Sequence, residues 1–203
     1  MKIQCSDGKE ATLDFNPEHK KIGVMLSGGM DSALLLYLIL QHKPRYLELE
    51  VYNVPNPKDN ARYFSNKVID WIEKNLGCPP INITNLESKN LSPSTLIFQP
   101  GILRKGLVDR LYSASNQNPP HLLEGAPWRR SPYLIQEDNS HFPFITLYKK
   151  HILEIYLKYN IIDLAYITSS CTESTDLRCN TCFQCKERAW AFECLGIDDK
   201  GIN

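Results

Sequence analysis

The chain has 203 residues, enough for one domain with a substantial hydrophobic core. Its 23 basic and 23 acidic side chains cancel, so no overall field would draw it to nucleic acid or to a membrane surface. The first residues lack the apolar segment of a secretory signal, and the longest apolar run, 33–40, is too short to cross a bilayer. We therefore expect a cytoplasmic protein with no membrane partner and no strong nucleic-acid signal.

Predicted strands and helices alternate along the chain. Two short strands within 1–16 flank a Ser-Asp-Gly-Lys turn and predict an N-terminal hairpin. Hydrophobic patterns then predict strand, helix, strand, helix and strand at 22–26, 31–41, 45–54, 58–77 and 80–86. The same patterns predict helix, strand, helix and strand at 101–115, 121–125, 149–160 and 162–168. This order predicts an α/β fold whose five-stranded, mostly parallel sheet carries helices on both faces.

The predicted sheet also indicates where a ligand would bind. Ligands of open parallel sheets lie beyond the carboxyl ends of the strands, where the strand order reverses. Ser27 ends the first core strand, and the irregular segment 126–144 follows the predicted fourth strand, so we expect both near a site. We divide the chain into a main domain, 1–170, and a C-terminal subdomain, 171–203.

The stretch SGGMDS, residues 27–32, links an apolar strand to an apolar helix. The glycines Gly28 and Gly29 allow a sharp turn and bring backbone N–H groups close to a ligand. The following helix points its positive N-terminal end at the same place, so this loop suits an anion such as phosphate. The alternative is a tight strand-to-helix turn in which Asp31 or Ser32 caps the helix.

The cysteines are concentrated near the end of the chain: five of the seven lie within 171–194. This crowding and the odd count argue against a disulfide framework. The spacing C-x7-C-x2-C-x2-C is formed by Cys171, Cys179, Cys182 and Cys185. Four thiolates at such spacing fill the tetrahedral shell of Zn²⁺ and predict a zinc knuckle, with an iron–sulfur cluster or a redox pair as alternatives. We expect Cys5 and Cys78 to be structural and Cys194 to be buried in an apolar helix.

Ser-Gly-Gly-x-Asp-Ser after a first strand resembles the pyrophosphate loop of the N-type ATP pyrophosphatases, the PP-loop superfamily. The resemblance implies an adenine nucleotide alpha hydrolase-like fold, cleavage of ATP between the α and β phosphates, and adenylation of a carboxylate or amide oxygen. It also implies that Ser27 and Ser32 hold pyrophosphate and that Asp31 helps to position Mg²⁺. The residues implied in nucleotide binding are Leu26, Ser27, Gly28, Gly29, Met30, Asp31 and Ser32.

The two motifs together resemble the 7-cyano-7-deazaguanine synthases of that superfamily. The stretch CNTCFQCKERAWAFECLGI is similar to that family's last helix, and Lys149 falls where the family carries a lysine ahead of a helix. The resemblance implies that the four cysteines bind Zn²⁺ beside the active site and that Lys149 contacts phosphate; a solvated lysine is the alternative. It covers 22–53 and 143–196, whereas 51–60 and 124–142 depart from the family's substrate-pocket sequences.

The reaction implied by this resemblance is ATP-dependent carbon–nitrogen bond formation. ATP activates the carboxylate of 7-carboxy-7-deazaguanine, ammonia displaces AMP to give the amide, and a second ATP yields the nitrile, 7-cyano-7-deazaguanine. The implied partners are the deazapurine, ammonia and a second copy of the chain in a homodimer. The alternatives are a tRNA-thiolating adenylase, a relative that stops at the amide or conjugates the deazapurine, and a non-catalytic nucleotide-binding module.

Five residues outside the motifs are candidates for ligand contacts. Arg129 and Arg130 follow Trp128 beyond the predicted fourth strand. Guanidinium groups bind carboxylate or phosphate, and the indole ring could stack on a purine-like base; a charged surface loop is the alternative. Tyr52 and Asn53, at the end of the second core strand, could line the adenine site or simply end the strand.

Overall fold

The structure, a computed structural model, describes residues 1–53, 60–86, 102–103, 106–122, 139–174 and 178–201. Its strands are β1 (Lys2–Gln4), β2 (Glu10–Thr12), β3 (Lys21–Met25), β4 (Glu48–Asn53), β5 (Ile83–Asn85), β6 (Arg110–Tyr112) and β7 (Ser140–His141). Its helices are α1 (Met30–His42), α2 (Ala61–Leu76), α3 (Lys149–Lys158), α4 (Ile162–Tyr166) and α5 (Phe183–Cys194), with a 3₁₀ turn at Pro120–Leu122. Within these ranges, no helix combines the length and the apolarity needed to span a membrane.

The central sheet has five strands in the order β5-β4-β3-β6-β7, and every neighbouring pair is parallel. This confirms the predicted α/β architecture. Strands β1 and β2 form the predicted antiparallel hairpin outside that sheet, with Ile3 opposite Ala11. Because β4 and β5 lie on one side of β3 and β6 and β7 on the other, the strand order reverses between β3 and β6. A ligand is therefore expected beyond the carboxyl ends of these two strands.

Two strands of the sheet lie where the sequence predicts none. The helix predicted over 101–115 is wrong at Arg110–Tyr112, which form β6 with all three side chains buried. Three residues are too few to display a strand's alternation, and the apolar residues around them fit a helical period equally well. Strand β7, Ser140–His141, lies in the segment predicted to be irregular.

One predicted strand is correspondingly wrong, and a second is wrong at its start. The strand predicted over 162–168 begins instead as helix α4, which packs against α1 in the larger core. The strand predicted over 121–125 starts within the 3₁₀ turn, and the rest of it lies outside the described residues. Short apolar runs fit a buried helix or a buried strand, so tertiary contacts decide between them.

The sheet separates two apolar cores. Val24 and Val51 face the larger core, which contains residues from helices α1 to α5. Met25 and Tyr52 face the smaller core on the other side, where the helical residue Ile102 packs. Successive residues of a strand point to opposite faces, so both faces carry helical residues, as predicted.

Helix α1 forms the centre of the larger core. Its residues Leu34, Leu35 and Leu36 are completely buried, as is typical of a core helix that is apolar on all sides. The residue at its N-cap is Gly29, and no side chain caps the helix. The alternative in which Asp31 or Ser32 serves as a helix cap is therefore wrong.

Candidate active site

The loop 27–32, here called the phosphate loop, leaves β3 and enters α1 with a conformation that requires glycine at one position. Gly28 has a φ of +75°, and a Cβ atom there would lie 2.6 Å from Cβ of Phe64 and 2.9 Å from the backbone nitrogen of Ser65. Its carbonyl oxygen accepts a hydrogen bond of 3.1 Å from the Ser169 N–H. The loop is thus held between α2 and the segment that leads to the cysteines.

The two serine side chains of the phosphate loop contact each other. Their hydroxyl oxygens are 3.0 Å apart, and the Ser27 N–H donates to Oγ of Ser32 at 3.1 Å. Ser32 Oγ in turn donates to the Gly29 carbonyl oxygen at 3.1 Å. The loop therefore presents two preorganised hydroxyl groups at the positive end of α1.

A cavity of about 170 Å³ opens beside these hydroxyl groups, at the point where the strand order reverses. Its lining residues are Met25, Ser27, Asp31, Ser32, Ser113, Ala114, Ser115 and Asn116. The last four follow β6 directly and are here called the β6 wall. The side chains of Leu26 and Met30 are buried in the larger core, and a contact of either residue with a nucleotide stays a prediction. The phosphate loop and the β6 wall therefore face each other across this space.

Lys149, the first residue of α3, reaches the phosphate loop from the distant end of the chain. Its Nζ atom contacts Oδ2 of Asp31 and lies 3.4 Å from Oε2 of Glu187. The Lys149 side chain is only 3% exposed, so the alternative of a solvated lysine is wrong. Asn116 of the β6 wall donates from Nδ2 to Oε1 of Glu187 at 3.3 Å. One buried network thus joins the phosphate loop, the β6 wall and α5.

One carboxylate oxygen of Asp31 lacks a hydrogen-bond partner among the described residues. Its Oδ1 atom is buried and has no hydrogen-bond partner among the described residues, whereas Oδ2 contacts Lys149. Mg²⁺ prefers carboxylate and phosphate oxygens, and this oxygen lies on a residue that lines the cavity. The residues present therefore fit the Mg²⁺ ion that the sequence predicts.

Tyr52 and Asn53 support the strand end and do not line the cavity described above. Nδ2 of Asn53 donates to the Leu26 carbonyl oxygen at 2.7 Å and to Oγ of Ser65 at 2.8 Å. Tyr52 lies in the smaller core, where burial raises the pKa of its hydroxyl group. A contact of either residue with adenine stays a prediction. Arg129 and Arg130 lie outside the described residues, as does Trp128.

The four predicted metal ligands come together. The sulfur atoms of Cys171, Cys179, Cys182 and Cys185 all lie within 4.8 Å of one another, so this group could hold a metal ion. Hydrogen bonds from Thr181 and from the Cys182 N–H lower the pKa of Cys179 to about 6. Burial raises the pKa of the Cys182 and Cys185 thiols. A bound cation would favour the thiolate form of all four residues.

The other cysteines are divided between the core and the surface. Cys5 is buried, Cys78 is half-buried, and all seven cysteines are free. Cys194 is exposed, so its predicted burial is wrong: it is the last residue of α5, where the helix ends at the surface.

Arg188 braces the C-terminal segment behind the cysteine group. Its guanidinium group donates to the carbonyl oxygens of Thr168 and Ala165 and forms two hydrogen bonds, of 2.7 and 3.0 Å, with Asp199. The residue is 1% exposed. This position agrees with a bracing role and not with a substrate contact.

Comparison with known proteins identifies the fold but not a family. No protein-family model and no curated protein matches the chain. The U34-tRNA thiolase NcsA from Methanococcus maripaludis, solved with its 4Fe–4S cluster, matches with a TM-score of 0.51 and 16% identity over 89% of this chain and 68% of that chain. At this identity the match shows the fold alone. The fold is adenine nucleotide alpha hydrolase-like.

Two further solved structures are more distant. An ammonia-dependent NAD synthetase from Campylobacter jejuni matches with a TM-score of 0.45 and 17% identity, over 74% of this chain and 68% of that chain. An NMN synthetase from Francisella tularensis matches with a TM-score of 0.44 and 11% identity, over 90% and 75%. These structural neighbours are members of the PP-loop superfamily.

Sequence reasoning missed Asn116 and Glu187. Glu187 does carry a signal, because it is an acidic residue between Cys185 and Arg188 on the buried face of a helix. Asn116 carries none, since its place in the site depends on β6, which the sequence did not predict.

Proposed function

We propose that the protein is an ATP-dependent carbon–nitrogen ligase. It adenylates a carboxylate, that of 7-carboxy-7-deazaguanine or a close relative, and uses ammonia to form the amide or the nitrile. The observation that carries the proposal is the meeting of Ser27, Asp31 and Ser32 with the Lys149 ammonium group beside one cavity at the reversal of strand order. These groups are of the kind that bind a polyphosphate and stabilise its departure.

Each part of the phosphate loop has a proposed role toward ATP. The hydroxyl groups of Ser27 and Ser32 and the backbone amides of the loop hold the β and γ phosphates. Asp31 holds Mg²⁺, which when bound neutralises charge on the departing pyrophosphate. Lys149 adds a positive charge to the same end of the cavity, where its burial keeps that charge from being screened by water.

The first round of the proposed reaction has two displacements, and the second has one displacement followed by an elimination. A carboxylate oxygen of the substrate attacks the α-phosphorus of ATP, the bond to the β-phosphate breaks, and pyrophosphate leaves. Ammonia then attacks the acyl carbon, AMP leaves with the bonding electron pair, and the nitrogen loses a proton to give the amide. A second ATP adenylates the amide oxygen, and loss of AMP and of the remaining two nitrogen protons gives the nitrile.

We assign a structural Zn²⁺ to the four cysteines. Four sulfur atoms around one ion with Zn–S bonds of about 2.3 Å lie about 3.8 Å apart. The observed separations of at most 4.8 Å are close to that value. A four-iron cluster occupies the space between its thiolates and keeps them further apart, so the observed spacing favours a single ion.

We propose the substrate-binding residues from the chemistry of their side chains. Arg129 and Arg130 offer bidentate donors for a carboxylate or phosphate, and Trp128 offers a ring for the deazapurine. Tyr52 and Asn53 are proposed to border the adenine base, because they end the strand beside the phosphate loop. We also propose a homodimer, by resemblance to the family.

The experiment that tests the function is mass spectrometry of a complete reaction mixture. The protein is incubated with Mg-ATP, ammonium and 7-carboxy-7-deazaguanine, and the mixture is analysed for base products and nucleotides. Amide or nitrile together with AMP supports the proposal and shows where the reaction stops. AMP without a changed base keeps the adenylation chemistry and rejects this substrate. Absence of AMP rejects the ligase.

The competing function is a tRNA-thiolating adenylase, in which the four cysteines would carry sulfur or hold an iron–sulfur cluster. Metal analysis separates the two functions. One zinc per chain and a colourless protein support the ligase, whereas iron with visible absorbance supports the thiolase.

A further inference from the structure

Lys149 lies between two carboxylates in a region nearly closed to water. Its Nζ atom contacts Asp31 on one side and lies 3.4 Å from Glu187 on the other. The side chains of Lys149 and Glu187 are 3% and 0% exposed, and that of Asp31 is 18% exposed. One cation therefore serves two anions, and the group carries a formal charge of −1.

The excess negative charge lies where a second cation would neutralise it. A buried carboxylate is costly without a charge partner or hydrogen bonds. Glu187 has both, from Lys149 and from Asn116, whereas Oδ1 of Asp31 has no hydrogen-bond partner in the described ranges. The deficit of this network thus lies at Asp31, the residue that lines the cavity and is proposed to hold Mg²⁺.

A Mg²⁺ ion bound to Asp31 would share that carboxylate with the Lys149 ammonium group. The two cations would then repel each other and compete for it. The geometry points to Glu187 as the second counter-ion of Lys149, a positioning residue that takes the ammonium group when Asp31 binds Mg²⁺; this inference rests on the proposed function. Lys149 then keeps an anionic partner while it moves from one carboxylate toward the other.

Glu187 is suited to this role by its place on α5. It follows Cys185 by two residues, so the four-cysteine group lies beside the part of the helix that carries it. The neighbouring Arg188 is engaged by Asp199, Thr168 and Ala165 and points to a different set of partners. The cysteine subdomain thereby supplies a carboxylate to the nucleotide site.

The test measures nucleotide binding, which needs no acceptor substrate. The full chain is titrated with the α,β-methylene analogue of ATP, which resists cleavage, at a series of Mg²⁺ concentrations and in EDTA. In Glu187→Gln, Lys149 has only Asp31 as an anionic partner, so we expect the Mg²⁺ midpoint to rise about tenfold. Binding in EDTA should not weaken. The matched control is Glu193→Gln, an exposed residue on the same helix, which should change neither value.

A role in folding alone would give a different result, because it would weaken binding with and without Mg²⁺ to the same extent. Equal weakening in both conditions, or an unchanged Mg²⁺ midpoint, overturns the inference. Zinc content and melting temperature of the variant are measured alongside. If the wild-type chain does not bind the analogue at all, the proposed function fails, and that outcome is distinct from binding that Glu187→Gln leaves unchanged.

A second comparison distinguishes an effect of Glu187 that acts through Lys149 from a direct electrostatic effect of Glu187 on Mg²⁺. It also provides a test if Glu187→Gln does not fold. Lys149→Met is compared with the charge-free pair Lys149→Met, Glu187→Met. Without the ammonium group, loss of Glu187 should move the Mg²⁺ midpoint by less than about threefold. A tenfold rise in this background would show that Glu187 acts without Lys149 and would contradict the inference.

Discussion

The two walls of the cavity are built in different ways. The phosphate loop is local: six consecutive residues supply its glycine turn, its hydroxyl groups and its carboxylate. The β6 wall is small and contains no recognisable motif, and its Asn116 is tied to Glu187, which lies 71 residues further along the chain. The difference shows that the conformation and the polar groups of the loop can be encoded in a short segment, whereas the shape of the cavity depends on which strand becomes the neighbour of β3.

The largest expected effect comes from breaking the link between the walls. Lys149→Met leaves the buried Glu187 carboxylate without its charge partner, so we expect the free energy of unfolding to fall by about 3–5 kcal/mol. The control is Lys150→Met, which removes a partly exposed lysine 3.5 Å from Asp7 and should cost less than about 1 kcal/mol. Urea denaturation measures both. Equal losses of unfolding free energy in the two variants would mean that the buried network does not link the two walls.

The next largest effect tests the phosphate loop alone. Gly28→Ala places a methyl group 2.6 Å from Cβ of Phe64 at a φ of +75°, and we expect a loss of about 2–4 kcal/mol. Gly77→Ala is the matched control, since its φ is +58° but nothing lies within 4 Å of the added atom. It should cost about 1 kcal/mol. A similar loss of stability at both positions would mean that Gly28 is required for its backbone conformation alone and not for lack of space beside Phe64.

Substitutions in the β6 wall should reduce the free energy of unfolding by less. Asn116→Ala removes the hydrogen bond to the buried Glu187 carboxylate, and we expect a loss of about 2 kcal/mol in unfolding free energy. Ser115→Ala, on the same wall but half-buried, should change stability by less than about 0.5 kcal/mol. Denaturant titration of the two variants compares them, and a neutral Asn116→Ala would remove this residue from the network.

The smallest effect concerns how α3, which carries Lys149, is anchored to the hairpin. Nδ1 of His151 accepts the Tyr148 N–H, so its Nε2–H donates to Asp7. Burial would raise the pKa of Asp7, but the hydrogen bonds from His151 and from the Lys9 N–H, together with the nearby positive charges, outweigh it and lower that pKa from 3.8 to about 2. This contribution is present above pH 3.8 and is lost as the pH falls toward about 2.

Asp7→Asn should therefore be less stable than the wild type at neutral pH, and the two melting temperatures should converge as the pH falls from 3.8 to about 2. Melting curves across that range measure the difference. A constant difference at every pH would show that the carboxylate charge of Asp7 is not what stabilises the hairpin contact.

The sequence predicted the elements whose signal is local. Helix α1, the turn at Gly28 and the four-cysteine group were predicted because apolar runs, glycines and cysteine spacing each carry their own physical reason. Strand β6 was not predicted, because three buried residues in a parallel sheet have no alternation to show. Glu187 was missed with it, since its partners come from α3 and the β6 wall.

The central claim is that a carboxylate oxygen of the substrate attacks the α-phosphate of ATP. The most direct measurement uses 7-carboxy-7-deazaguanine labelled with ¹⁸O in its carboxylate, incubated with the protein, Mg-ATP and ammonium, followed by mass spectrometry of the nucleotides. The account predicts AMP that carries one ¹⁸O atom together with unlabelled pyrophosphate. Unlabelled AMP, or ADP with labelled phosphate, would contradict it.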